Sequence, residues 1–231
     1  MTSTFGISPA SSFAGDIDNV VTLIFFLVGF WLLACEFMFF YLLWRFRAKE
    51  GQAGQYVTGD EPHLHRWISI PHALVLVCDV FIVIGAVRVW YNVKQSLPPA
   101  DATIGVVAQQ WAWTFVHPGP DNQLGTADDI ATVNELHLQV DKTYHFKLTA
   151  KDVLHSFSVP AFRLKQDAIP GREITGWFKT TRSGTFDIQC AEICGIGHAL
   201  MPARIVIESD EQHAAWVEQN SPLAVAALAS N

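Results

Sequence analysis

Two long apolar stretches dominate this 231-residue chain. Residues 20–44 read VVTLIFFLVGFWLLACEFMFFYLLW, with Glu36 as the one ionisable carboxylate among them. Residues 67–91 read WISIPHALVLVCDVFIVIGAVRVWY, with Asp79 inside and Arg88 near the end. A helix of either length rises about 37 Å, enough to cross a hydrocarbon core about 30 Å thick with some tilt. The pattern predicts a transmembrane helical hairpin over 20–92. Pro71 is placed in the first turns of the second span, where a missing N–H does little harm. Glu36 and Asp79 are costly in lipid and are expected to face protein. Arg88 is expected to snorkel to the outer interface.

The flanking charges orient this hairpin. Residues 1–19 contain no Lys or Arg but carry Asp16 and Asp18, and Arg45, Arg47 and Lys49 follow the first span directly. A secretory leader has the opposite arrangement and a shorter apolar core, so the first span is expected to be retained. Arg45, Arg47, Lys49 and Arg66 place the loop 45–66 on the cytoplasmic side of the cell (inner) membrane. Residues 1–19 and everything after the second span then lie on the periplasmic or extracellular side.

The rest of the chain has a β texture. Segments such as ATIGVVAQ, WAWTFV, ELHLQV, TYHFKLTA, EITGWFK, GTFDIQC and ARIVIES alternate with turn signals, which predicts a sandwich or small barrel of about seven to ten strands over 93–210. A tail, 211–231, is expected to begin with a short helix over 211–217 and to fray from 221. From Ser96 onward there are nine basic and fifteen acidic residues, and the whole chain has a net charge of −7. That excludes a nucleic-acid partner. An acidic outer domain suits a basic protein partner and equally serves solubility.

Candidate chemistry concentrates in residues 190–201, CAEICGIGHALM, with His155 upstream in DVLHSFSVP. Thiolate, imidazole and thioether form a soft donor set that favours copper over magnesium or calcium. A zinc site from Cys190, Cys194, His155 and His198 leaves Met201 idle. A Cys190–Cys194 disulfide leaves the histidines and Met201 idle. A single blue-copper site leaves Cys190 surplus. A dinuclear copper site uses every donor: both thiolates bridge, each copper takes one histidine, and Met201 and the Glu192 carbonyl are weak axial ligands. Cys35 and Cys78 lie in the spans and behave as small apolar residues. His63, His65, His72, His117, His137, His145 and His213 show no second ligand spacing and are read as structural or surface residues.

On DVLHSFSVPAFRLKQDAIPGR and CAEICGIGHALMP, and on the order of hairpin and β domain, the chain resembles subunit II of the haem–copper cytochrome c oxidases. The resemblance implies a cupredoxin-like Greek-key barrel carrying two copper ions in a CuA centre, with His155, Cys190, Glu192, Cys194, His198 and Met201 as ligands. It implies a further magnesium ion at the interface with subunit I, held partly by the Glu192 side chain. In QQWAWTFV, Trp111 matches the tryptophan that receives electrons from cytochrome c. The implied function is electron transfer from cytochrome c, or a small copper protein, to haem in subunit I, where oxygen is reduced to water. Asp152 matches an acidic residue bordering the donor-docking face, with Lys151 beside it. Arg172 matches a position near subunit I. Trp113 is expected to share the face of Trp111.

Two features depart from the family pattern. Leu64 stands where the family often has a glutamate at the mouth of a proton pathway, with Glu61, His63 and His65 around it. GPDNQLGTADDI, residues 119–130, is an acidic loop whose spacing does not match an EF-hand, so a bound ion and a plain turn or docking loop both remain open. The alternatives to an oxidase are the CuA subunit of a haem–copper nitric oxide reductase and a stand-alone membrane-anchored copper-binding protein. The absence of a C-x-x-C-H haem motif leaves the electron donor as a separate protein.

Overall fold

A computed structural model describes residues 6–54, 56 and 58–222. They form two compact units, Asp18–Val89 and a larger one that joins residues 6–17 to 90–222.

The smaller unit is helical. α1 spans Ala14–Arg45 and α2 spans Pro62–Trp90, closing in one π turn at Tyr91–Gln95. Both are long and apolar enough to cross a membrane, and none of either apolar window is buried inside the protein. Phe and Leu side chains project outward all along them, which suits a hydrocarbon surround rather than water. α2 starts five residues before the predicted span. Pro62 takes its first position, and Pro71 therefore stands in the helix interior rather than in its first turns. The HLHR segment carries no helix breaker, so the helix extends through it. Glu61 closes the preceding turn, its carboxylate accepting from Thr58 N–H at 3.2 Å and Gly59 N–H at 2.9 Å.

The larger unit is a cupredoxin-like sandwich of ten strands in two sheets. The strands are β1 (Ala102–Gln109), β2 (Ala112–His117), β3 (Ile130–Val133), β4 (Glu135–Gln139), β5 (Thr143–Ala150), β6 (His155–Val159), β7 (Leu164–Ala168), β8 (Ile174–Lys179), β9 (Gly184–Cys190) and β10 (Ala203–Glu208). One sheet runs β3-β2-β1-β5-β8 and the other β4-β10-β9-β6-β7. Most neighbours are antiparallel, but β1 pairs with β5 and β4 with β10 in parallel. The seven segments singled out in the sequence are all strands. β3, β6 and β7 add to them; each is only four or five residues long, and polar residues interrupt its apolar pattern.

Alternation fills the space between the sheets. β2 and β5 bury every second residue, and Trp113, Phe115, Phe146, Phe157, Phe162, Phe178, Leu136, Leu138, Leu148 and Ile188 are wholly or almost wholly enclosed. Truncating one such phenylalanine to alanine costs about 3–5 kcal/mol. Phe146 lies flat on β8 because residue 176 is glycine: a Cβ there would sit 2.2 Å from its ring tip.

Residues 7–17 belong to this unit rather than standing apart as a flank. Ala10 N–H donates to Ala161 O, Thr181 N–H to Ala10 O, and Ser12 N–H to Lys179 O. Ser11 Oγ donates to Phe162 O at 2.9 Å, and Phe13 packs edge-on to Trp177. At the other end, α3 spans Asp210–Asn220, longer than the predicted 211–217. A capping box of Ser209 and Gln212 starts it. The predicted fraying tail lies, beyond residue 222, outside the described residues. The acidic loop closes on itself: Asp128 accepts from Asp121 N–H and Thr126 Oγ1, Asp129 from Gly125 N–H, and Asp121 from Gln123 N–H.

Candidate metal centre

Strand pairing brings the donors together. β6 opens at His155 and β9 ends at Cys190, and the two strands pair with Phe157 opposite Cys190. This places His155 two residues from the register point of the first thiol. The chain then leaves β9 in a loop through Cys194, makes a short 3-10 turn over His198–Leu200, passes Met201 and enters β10 at Ala203.

The five side-chain donors converge. Cys190 Sγ and Cys194 Sγ are 3.8 Å apart. His155 Nδ1 lies 3.8 Å from Cys190 Sγ, and His198 Nδ1 lies 3.6 Å from Cys194 Sγ. Met201 Sδ is 3.4 Å from Cys194 Sγ, and the Glu192 carbonyl accepts from Cys190 Sγ at 3.3 Å. Both cysteines are free thiols, so the disulfide considered above is not formed. Cys190, Cys194 and His155 form a cluster compact enough to hold one ion, and it is the only such group of histidine, cysteine and carboxylate ligands among the described residues. His155 is completely buried, and Met201 and Cys194 nearly so.

Electrostatics make this an incomplete site without a cation. Burial and the adjacent Cys190 push the Cys194 thiol up to about 11, so two neighbouring thiolates are disfavoured here on their own. A bound cation reverses that cost and displaces the thiol protons. Soft sulfur donors with two imidazoles fit copper chemistry.

Neighbouring groups hold the candidate ligands in place. Asp152 Oδ1 lies 2.9 Å from His155 Nε2 and accepts from Val153 N–H at 2.7 Å, while Oδ2 accepts from Gln110 N–H at 2.7 Å. Partial burial opposes the charge of Asp152. The bonds from Gln110, His155 and Val153 outweigh it and hold the carboxyl below the usual range. With its Nε2–H donated to Asp152, His155 presents the lone pair of Nδ1 to the thiols. Asp152 thus turns toward a ligand, where the sequence had suggested a docking role. Gln110 Nε2 also donates to the Cys194 carbonyl at 2.8 Å. Trp113 is buried, donates Nε1–H to the Met201 carbonyl at 3.1 Å and lies edge-on to His155.

Trp113 therefore does not share the face of Trp111. Residues 110 and 111 form the turn between β1 and β2, so strand alternation starts only at Ala112. Trp111 is 37% exposed. Its indole lies over the ligand loop, where a Cβ at Gly197 would stand 2.3 Å from the ring and one at Gly195 3.1 Å. On the same loop Ile193, Ile196 and Leu200 project into solvent, each at least 80% exposed. The Glu192 side chain is paired with Lys165 Nζ at 2.8 Å. Gln110 and the inward roles of Trp113 and Asp152 are not visible in the sequence. Only the three-residue step from Asp152 to His155 hinted at one of them.

Residues 102–210 match the family model described as the periplasmic domain of cytochrome c oxidase subunit II. The alternative cytochrome c oxidase subunit 2 of Bradyrhizobium diazoefficiens is 33% identical over 240 residues, covering 94% of this chain and 84% of the relative. The chain belongs to the cytochrome c oxidase subunit II family. The subunit 2 of Cereibacter sphaeroides is 32% identical over 246 residues, covering 90% of this chain and 80% of that one. The solved periplasmic domain of subunit II from Bradyrhizobium japonicum is 36% identical, covers 54% of this chain and 96% of its own, and superposes with a TM-score of 0.49. As a subunit II protein the chain is part of an oxidoreductase complex and a membrane protein, with a cysteine–histidine cluster suited to copper in its β domain.

Proposed function

We propose that the chain is the electron-accepting subunit of a membrane haem–copper terminal oxidase. It takes electrons from cytochrome c, or a small copper protein, and delivers them to haem in subunit I, where oxygen is reduced to water. One observation carries the reading: each histidine approaches a different thiol, His155 beside Cys190 and His198 beside Cys194. His155 groups with both sulfurs tightly enough for one ion, whereas His198, 3.6 Å from Cys194 Sγ, stands outside that group, so the donor set is broader than one ion needs and suits two ions sharing the sulfurs.

In this reading two coppers would be held by Cys190 and Cys194 in common, by His155 and His198 one apiece, and more weakly by Met201 and the Glu192 carbonyl. When bound, the copper pair supplies one-electron storage with the charge shared across the bridging sulfurs. The chain's own contribution is rigidity: Asp152 fixes the His155 ring, Trp113 pins the Met201 backbone and Gln110 pins that of Cys194. Glu192 is proposed to turn from Lys165 to a magnesium ion at the interface with subunit I. The loop 45–66 is assigned to the cytoplasm and the β domain to the periplasmic or extracellular side, on the charges Arg45, Arg47, Lys49 and Arg66.

Trp111 is proposed as the point where electrons arrive, because it is the exposed aromatic that lies on the ligand loop itself. The loop beneath it also exposes apolar Ile193, Ile196 and Leu200, so the donor's contact is tight and dry at its centre with charge farther out. Trp111→Ala is expected to raise the KM for the donor roughly tenfold or more, as truncation of a central aromatic anchor does, with the copper absorption bands unchanged. Donor kinetics equal to wild type would move the arrival point elsewhere. In the purified complex, metal analysis is expected to give two coppers per chain at this centre. One copper, or zinc in its place, would refute the dinuclear reading.

A further inference from the structure

β2 and β10 both lead away from the ligand loop and end, about 16 Å farther on, beneath α3. Three histidines meet there. Trp216 of α3 stacks on the His137 ring at 4.2 Å and 12°, lies near-parallel to His213 at 5.7 Å, and meets His117 at 4.8 Å and 63°. Glu208 bridges two of them: Oε1 is 3.2 Å from His137 Nδ1 and Oε2 is 3.3 Å from His213 Nδ1. Glu135 Oε1 is 2.9 Å from His137 Nε2.

His117 is locked in one neutral form. Its Nε2 accepts the His137 backbone N–H at 3.0 Å, so its proton sits on Nδ1 and is donated to the Ile130 carbonyl at 3.1 Å. A second proton at Nε2 would face an N–H donor. α3 has no fully buried residue of its own; this stack, the Glu208 bridge and a bond from Gln139 Nε2 to Asp210 Oδ1 at 3.5 Å tie it to the sheet. Beside the stack lies a cleft of about 570 Å³, lined by His117, His137, Tyr144, His213 and Val217 among others.

We infer that this cluster is an acid-sensitive latch: protonation of His117 and His213 releases α3 from the ends of β2, β4 and β10, uncovering the Trp216 face and opening the cleft. The groups that face the two histidines are His137 and Glu135 from β4, Glu208 from β10, and Asp210, Trp216 and Glu218 from α3. Tyr144 of β5 and Asp101 lie beyond them. The carboxylates Glu135 and Glu208 are engaged by His137 and His213 and leave Nε2 of His117 without a counter-charge.

The electrostatics agree in sign. Burial, opposed by the Ile130 carbonyl and aided by His137 and His213, presses His117 down to about 4. Burial likewise holds His213 below the usual range despite Glu208. Docking makes both harder to protonate than an exposed imidazole, which takes a proton near 6.5. Docking is therefore fully favoured above about pH 6.5 and is lost progressively as pH falls toward 4.

The test is hydrogen exchange on the full chain within its purified complex, read at the amides of 211–220 and corrected for intrinsic rates. Between pH 7.5 and 5.0 their protection is expected to fall by at least about thirtyfold, the share that His117 contributes, with His213 adding to it, while β5 and β9 stay protected. His117→Gln keeps one acceptor and one donor without the titration, and His213→Phe keeps the stacking. The double variant is expected to hold α3 at both pH values, and His213→Phe alone to show a smaller response than wild type. Equal wild-type protection at the two pH values overturns the latch. So does a double variant, or a His213→Phe chain, that responds as wild type does.

Discussion

Replacing Cys190 by serine is expected to abolish the mixed-valence copper signal and donor-driven turnover, while the β domain keeps its far-ultraviolet circular dichroism. Serine fills almost the same volume at the end of β9, and Cys190 is only partly buried, so the strand pairing with β6 survives. What is lost is a sulfur that stands 3.8 Å from Cys194 and 3.8 Å from His155. A hydroxyl does not bridge two soft ions. The remaining Cys194, His198, Met201 and His155 are the set of a single blue-copper site, so residual copper is expected as one ion with a thiolate band and no pair signal. An unchanged spectrum would remove Cys190 from the centre and with it the dinuclear assignment.

Asp152→Asn is expected to lower copper affinity by about 10–100-fold, the usual cost of losing the group that orients a ligating histidine. The carboxylate accepts three bonds, from Gln110 N–H, Val153 N–H and His155 Nε2. Asparagine offers one acceptor oxygen and one NH₂ in the same place. If the oxygen serves Gln110, the NH₂ confronts His155 Nε2 and drives the ring proton to Nδ1, the nitrogen that faces Cys190. If the oxygen serves His155, the NH₂ confronts the Gln110 N–H and loosens the turn that carries Trp111. Competition with a copper chelator measures the first effect, and donor kinetics at saturating copper measure the second. Wild-type values in both would reduce Asp152 to a surface residue.

The parts of the molecule legible in the sequence are those written in local pattern. The two spans stand out because about 25 apolar residues in a row have few other uses. The ligand set stands out because Cys190, Cys194, His198 and Met201 lie within twelve residues and share one chemistry. The parts that stayed hidden depend on pairing between distant strands. The parallel match of β1 with β5 sets the end of β1 against the end of β5, and so brings Gln110 to Asp152. The parallel match of β4 with β10 brings His137 to Glu208. The spacing of His117, His137 and His213 in sequence has no meaning until those strands pair. Trp113 was misplaced for a simpler reason: strand alternation was counted from Trp111, which belongs to a turn. Residues 7–17 gave no periodic signal, since one short bridge at Ser11 and a few backbone bonds fix them to β8 and its neighbours.

The most direct test of the central claim uses the intact purified complex, with copper loaded and reduced cytochrome c as donor. Donor oxidation is recorded once with oxygen and once, anaerobically, with nitric oxide. Rapid oxygen consumption that disappears in Cys190→Ser, with weak turnover of nitric oxide, is the expected result. Preferential turnover of nitric oxide would contradict the oxidase assignment and move the complex to the reductase class. Oxygen consumption that persists at full rate in Cys190→Ser would contradict electron transfer through this chain altogether.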